Sequence, residues 1–191
     1  MTTIIGLCGP AGAGKTTVAK FLCERYGAVR YSLAGPLKEI AQRTLGFSDE
    51  QMYGTQAQKE APDPRYGFSP RWFLQRLGTE GIRAVLGADV WIDCLMGRIT
   101  RERPKIAVVD DVRFANEAAA LRAEWCDVWR LTPPPPFATS STHASETEWT
   151  KAQVDYEIAP LLPGVDVLES LAAKRMDALI RESRRSPDVW L

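Results

Sequence analysis

Residues 9–16 read Gly9-Pro10-Ala11-Gly12-Ala13-Gly14-Lys15-Thr16, a complete G-x-x-x-x-G-K-[ST] run. The apolar stretch Ile4-Ile5-Gly6-Leu7-Cys8 precedes it, and Thr17-Val18-Ala19-Lys20-Phe21-Leu22-Cys23 follows. This context constrains the fold more than the motif string does. A buried strand, a glycine-rich turn and a helix N-terminus together make the geometry that cradles phosphate groups. The glycines let the backbone curl with its N–H groups pointing inward. Lys15 has the reach for the β- and γ-phosphates of a nucleotide, and the Thr16 hydroxyl suits Mg²⁺. The predicted nucleotide-binding run is Gly12, Ala13, Gly14, Lys15, Thr16 and Thr17.

Strand and helix signals alternate along the chain. A strand over Ile4–Cys8 is followed by a helix over Lys15–Tyr26 that stops at Gly27. Ala28–Ser32 reads as a second strand, and Pro36 opens a helix running to Leu45. Residues 47–70 are polar, carry three prolines and show little periodicity, so they read as a surface insertion. Helices are predicted over Arg71–Leu86 and Ala88–Arg101, and a strongly apolar strand over Lys105–Asp110 that ends in acidic residues. A helix over Phe114–Glu124, strands over Asp127–Leu131 and Tyr156–Ile158, and a helix over Asp166–Arg181 complete the pattern. Such alternation predicts an α/β fold: a parallel sheet with helices on both faces, a three-layer sandwich. Ligands on such sheets bind beyond the carboxyl ends of the strands, which places the chemistry after Cys8, Ser32, Asp110 and Leu131.

With 191 residues the chain fits one domain, with an insertion at about 47–103 and a lid at about 132–150. The lid expectation rests on Thr132-Pro133-Pro134-Pro135-Pro136 with its Ser/Thr-rich tail. The 24 basic and 24 acidic residues cancel, which argues against binding a nucleic-acid polymer. Four cysteines without a C-x-x-C pair read as buried free thiols in a reducing compartment. No apolar run approaches the roughly 20 residues that span a bilayer, and the first strand begins directly after Met1-Thr2-Thr3. The expectation is a soluble cytoplasmic protein without a membrane partner.

Asp110-Asp111-Val112-Arg113 sits at a strand end, where a carboxylate can hold Mg²⁺ directly or through water. The competing reading makes one Asp the N-cap of the next helix. Phosphoryl transfer spreads charge over three oxygens and needs converging cations; by position Arg71 and Arg113 stand out among the arginines. No H-R-D catalytic loop exists, and the one histidine, His143, lies in the proline-rich segment. A missing general base favours a phosphate acceptor over a hydroxyl, because a phosphate is already anionic. Two other readings are a P-loop kinase for another small metabolite, such as dephospho-coenzyme A, and an ATP- or GTP-dependent switch. The chain has no N-K-x-D base-reading motif for the latter.

Several further segments occur together in one order: Leu33-Ala34-Gly35-Pro36-Leu37-Lys38, Arg71 with Gln75-Arg76-Leu77-Gly78-Thr79-Glu80, Trp91, Val109-Asp110-Asp111-Val112-Arg113 with Glu117, His143-Ala144-Ser145-Glu146 and Asp155-Tyr156-Glu157-Ile158. With the P-loop they cover most of the chain, which resembles the phage-type deoxynucleoside monophosphate kinases, a branch of the P-loop nucleotide kinases. The resemblance implies ATP-dependent, Mg²⁺-assisted phosphorylation of a deoxynucleoside 5'-monophosphate, and it is suggestive of a homodimer. It implies catalytic roles for Lys15, Asp111 and Arg113, with Thr16 on the metal; the acidic group beside it is Asp110 or Asp111, and Asp110 is the metal candidate. Ala34, Gly35, Lys38, Arg71, Gln75 and Trp91 would bind the monophosphate, Asp111 and Arg113 would lie between the nucleotides, and His143 and Glu146 would close the lid. Thr132 precedes Pro133 where the family commonly has Arg, and Arg130 is the residue that could substitute.

Overall fold

Strand β1 (Thr3–Cys8) is buried on both faces, with Ile5, Leu7 and Cys8 shielded from solvent. A continuous apolar run of this kind fits only the interior of a parallel sheet covered on two sides. The computed structural model describes residues 2–124, 126–134 and 147–185, with the backbone alone for 184 and 185. After β1 come α1 (Lys15–Tyr26), β2 (Val29–Tyr31), α2 (Gly35–Leu45), α3 (Asp49–Tyr53), α4 (Gln56–Glu60) and α5 (Pro70–Gln75). A π-helical stretch (Arg76–Arg83) leads into α6 (Ala84–Leu86), then α7 (Val90–Glu102), β3 (Ile106–Val112) and α8 (Ala115–Ala123). The chain ends with β4 (Asp127–Leu131), a 3₁₀ turn (Glu148–Lys151), β5 (Tyr156–Ile158) and α9 (Val165–Arg185).

These elements form two compact units, Met1–Ser32 with Leu95–Leu191, and Leu33–Cys94. The first holds the sheet, in the order β2-β3-β1-β4-β5, with every pairing parallel. Ile5, Leu7, Val108, Trp129 and Leu131 pack on one face against Val18, Ala19 and Leu22 of α1 and Ala172 and Met176 of α9. On the other face α8 brings Leu121 so close to β1 that a Cβ on Gly6 would lie 3.1 Å from its methyl group. A larger residue at that point would push Leu121 by a few tenths of an ångström, so α8 packs closely on this face of β1 while α1 and α9 cover the other, the three layers predicted. Beyond the helices, a bidentate pair joins Arg175 of α9 to Asp127 of β4, Nε and Nη2 each donating at 2.8 Å.

The second unit packs around Ala41, Phe47 and Met52, with Leu45, Phe68, Phe73 and Leu74 against them. Within the stretch 47–70, read from its weak periodicity as a surface insertion, lie two five-residue helices. Each opens with a reciprocal capping box, Ser48 with Gln51 and Thr55 with Gln58. Those S-x-x-Q and T-x-x-Q signals are present in the sequence, but five-residue helices are too short to show a hydrophobic period. Asp63 ties the following loop together from a position that is 3% exposed. Its carboxylate accepts from Arg65 Nε at 2.9 Å and Nη2 at 2.8 Å, from the Arg65 amide at 2.9 Å, and from Gln51 Nε2 at 2.8 Å.

Other departures have local causes. β3 continues through both aspartates to Val112, because a register shift against β1 between Gly6 and Cys8 lets pairing resume there. All four cysteines are free, as expected, but only Cys8 and Cys126 are buried; Cys23 is half-buried and Cys94 exposed on α7. Among the described residues no helix is long and apolar enough to cross a membrane.

The Arg65 guanidinium, followed by Gln51, holds the Asp63 carboxyl well below the usual carboxylate range. A depressed folded-state value means that Asp63 stabilises fully above its unfolded value near 4 and progressively less as pH falls below it. Asp63→Asn should therefore lower the Tm at pH 7, and the gap to the wild type should narrow as pH drops from about 5 to about 3. Thermal melts followed by circular dichroism across that range check both the sign and the convergence.

Candidate functional site

The glycine-rich loop leaves the carboxyl end of β1 in the conformation its residues predict. Gly9, Gly12 and Gly14 take φ of 135°, 81° and 89°, in the region that side chains disfavour. At Gly9 a second constraint applies, because a Cβ there would sit 2.3 Å from the Leu131 carbonyl oxygen of β4. The turn closes with the Ala13 amide donating to the Pro10 carbonyl at 3.2 Å. α1 then starts at Lys15, with Gly14 as its N-cap and no side chain capping its first amides. Lys15 Nζ donates to the Gly9 and Pro10 carbonyls at 2.8 and 2.7 Å, spanning the loop from its own helix.

β3 brings Asp110 beside this loop. The Thr16 hydroxyl donates to Asp110 Oδ2 at 3.3 Å, so the two residues expected at a Mg²⁺ site do meet. A hydroxyl and a carboxylate are hard oxygen donors of the kind Mg²⁺ takes alongside substrate phosphates and waters. Among the described residues no group of three His, Cys, Asp or Glu could hold a metal, and a site completed by phosphates needs no such group. Neither aspartate serves as a helix N-cap. Glu117, itself 3% exposed, reaches back to accept from the amides of Arg113 at 2.8 Å and Phe114 at 3.1 Å. Asp111 accepts from the Ser32 hydroxyl at 2.7 Å. Arg113 follows β3 directly and is half-buried.

Arg30 was not anticipated. From β2 its Nε and Nη2 contact Asp110 Oδ2 at 2.9 and 2.6 Å, on the same oxygen that Thr16 touches. Burial, then the neighbouring Asp111 charge, push the Asp110 carboxyl up, and Arg30 opposes them. The sequence signal was faint: one arginine in a three-residue edge strand, where exposure is the ordinary reading. Arg130, the candidate lid cation, is engaged elsewhere. Its Nη1 pairs with Glu157 at 2.9 Å and its Nη2 donates to the Ala152 carbonyl at 2.6 Å, beside the Cys8 thiol, whose pKa burial raises.

The residues expected around a second phosphate lie in the second unit. Ala34 precedes α2 and Gly35 begins it, followed by Pro36 in the first turn, where a missing N–H costs nothing. Lys38 lies in that first turn, with its Nζ 4.5 Å from the centre of the Tyr53 ring. Arg71 opens α5 under the Ser69 cap and donates from Nη2 to Gln56 Oε1 at 2.8 Å. Gln75 ends α5 where the π-helical stretch begins, and Trp91 of α7 donates its indole N–H to the Gly78 carbonyl in that stretch at 3.2 Å. A π-helix misaligns the i→i−4 ladder and is frequent at functional sites. His143 and Glu146 lie outside the described residues, as does most of the lid expected at 132–150.

No family model matches the chain. It is 37% identical over 160 residues to a protein of Acanthamoeba polyphaga mimivirus named as a deoxynucleotide monophosphate kinase, covering 76% of this chain and 81% of the relative. It is 27% identical over 234 residues to the deoxynucleoside-5'-monophosphate kinase of Escherichia phage T5, covering 88% and 94%. Among solved structures, TT1252 from Thermus thermophilus matches 93% of this chain and 97% of its own with a TM-score of 0.53 at 15% identity, a likeness of fold.

Removing the guanidinium from Arg30 leaves a buried carboxylate beside a second one. Because Arg30 is itself 42% exposed, Arg30→Gln should cost about 1–2 kcal/mol, less than for a fully buried pair. That corresponds to a Tm lowered by roughly 3–6 °C. Differential scanning calorimetry of the ligand-free variant measures it; an unchanged Tm would show that the pair contributes nothing to the fold.

Proposed function

The chain belongs to the deoxynucleotide monophosphate kinase family, and on that premise we propose that it transfers the γ-phosphoryl group of ATP to a deoxynucleoside 5'-monophosphate, giving ADP and the diphosphate. The observation that carries the donor half is the loop itself: three glycines at positive φ, Lys15 across the mouth, and Thr16 within 3.3 Å of the buried Asp110.

The chain's own residues account for most of what the reaction needs. The loop amides and the α1 N-terminus receive the donor phosphates, and Lys15 exchanges its two carbonyl partners for phosphate oxygens. Mg²⁺, when bound, would be held by the Thr16 hydroxyl and the Asp110 carboxylate and would neutralise phosphate charge. Lys38 and Arg71 in the second unit are the cations for the acceptor phosphate, and the N-terminus of α2 adds its dipole. Arg113, held at its amide by Glu117, supplies a guanidinium for the charge that develops on the transferring group.

In the transfer, an oxygen of the acceptor phosphate forms a bond to the γ-phosphorus. The bond from that phosphorus to the β,γ-bridging oxygen breaks, and ADP leaves with its electron pair. The nucleophile carries negative charge already, so no proton has to be removed. This is why the chain can work without a positioned base, which a hydroxyl acceptor would require.

A coupled assay of ADP release with dGMP, dTMP, dCMP and dAMP in turn tests the reading, and it fails if none of the four is consumed. Lys15→Ala should lower kcat by at least about 100-fold with the fold retained. Arg71→Ala should instead raise the KM for the monophosphate by about tenfold and leave the KM for ATP in place.

A further inference from the structure

Helices α3 and α4 contribute little to the core of their unit. Only Met52 of α3 is buried, and α4 buries no residue at all. Five residues cannot hold a helix by propensity alone, so each depends on its capping box. What the pair does with its side chains is to engage two cations. Tyr53, the last residue of α3, sets its ring against the Lys38 ammonium at 4.5 Å, although the residue itself is 55% exposed. Gln56, the first residue of α4, accepts from Arg71 Nη2 at 2.8 Å, and Glu60, the last, places Oε1 3.6 Å from Arg71 Nε. The Gln56 amide donates to that same Glu60 oxygen, which closes a ring of three side chains.

The geometry of the ring is selective. A guanidinium offers two edges for bidentate contact, Nε–Nη2 and Nη1–Nη2. α4 engages the first, and two contacts on one edge restrict the plane of Arg71. Lysine and arginine are the side chains with the most rotamer freedom to lose, and pinning them before the ligand arrives lowers the cost of binding.

We propose that Tyr53, Gln56 and Glu60 are positioning residues that pre-orient Lys38 and Arg71 for the dianionic phosphate of the acceptor nucleotide. This rests on the acceptor role of those two cations. The stretch between α2 and α5 is therefore the acceptor site's framework, and the short capped helices exist to present a ring face and an amide at fixed places.

The test separates positioning from simple stability by splitting KM from kcat. In the full chain, Gln56→Ala should raise the KM for the monophosphate about fivefold, and Tyr53→Leu about threefold, with kcat and the KM for ATP unchanged. Tyr53→Phe keeps the aromatic face and should behave as the wild type. Lys38→Ala and Arg71→Ala serve as references. If they raise the acceptor KM while Gln56→Ala and Tyr53→Leu do not, positioning by α3 and α4 is refuted and the acceptor reading stands. If Lys38→Ala and Arg71→Ala leave that KM unchanged, the acceptor reading itself falls and this inference with it. A Tyr53→Phe variant as impaired as Tyr53→Leu, or losses that follow Tm with kcat and both KM values moving together, would also overturn it.

Discussion

The burial of β1 between two helical layers is the constraint from which the first unit follows. With β3 on one side and β4 on the other, β1 has no free edge, and its chain can leave only over the carboxyl end of the sheet. There the Leu131 carbonyl stands 2.3 Å from where a Cβ of residue 9 would be. The first loop glycine is thus required by the neighbouring strand before any phosphate is considered. The same parallel register sets Asp110 of β3 beside Thr16 of α1, so an acidic group reaches the loop without a dedicated element to carry it.

Two adjacent carboxylates in such a place repel one another, and the fold gives each a separate partner. Asp110 takes Arg30 and Thr16, while Asp111 takes Ser32. Arg30 and Ser32 come from β2 and the residue just after it, which assigns the short edge strand an electrostatic task in addition to its pairing with β3. Glu117 accepts from two backbone amides at the start of α8, so part of what a buried carboxylate needs comes from the main chain. The first unit thus holds three buried or half-buried acids close together, each with hydrogen-bond donors of its own.

The second unit solves a different problem with weaker means. Its core is a few aromatic and aliphatic side chains, and its loop is tied by the hydrogen bonds of one buried aspartate. Around that core, capping boxes fix helices too short to stand alone, and their ends meet Lys38 and Arg71. Polar contacts of this sort need exact placement more than they need area. Such contacts also leave little hydrophobic period in the chain.

Elements marked by contiguous local signals were legible in the residues: α1 at Lys15–Tyr26, stopped by Gly27, and the short strands β4 at Asp127–Leu131 and β5 at Tyr156–Ile158 stand where the sequence put them. So was the phosphate loop, because its glycines, lysine and threonine are contiguous and its geometry is local. The five-residue helices and the extension of β3 to Val112 were not, since the first have no period and the second depends on a bulge against another strand. Arg30 against Asp110 and Gln56 against Arg71 pair residues 80 and 15 positions apart. Sequence by itself determined that a strand, a glycine turn and a helix would present a phosphate cradle, because those signals lie within one stretch of backbone. Tertiary structure alone decided which cation faces which carboxylate and which amide holds which arginine, because charge pairing depends on distance in space and the chain records only order.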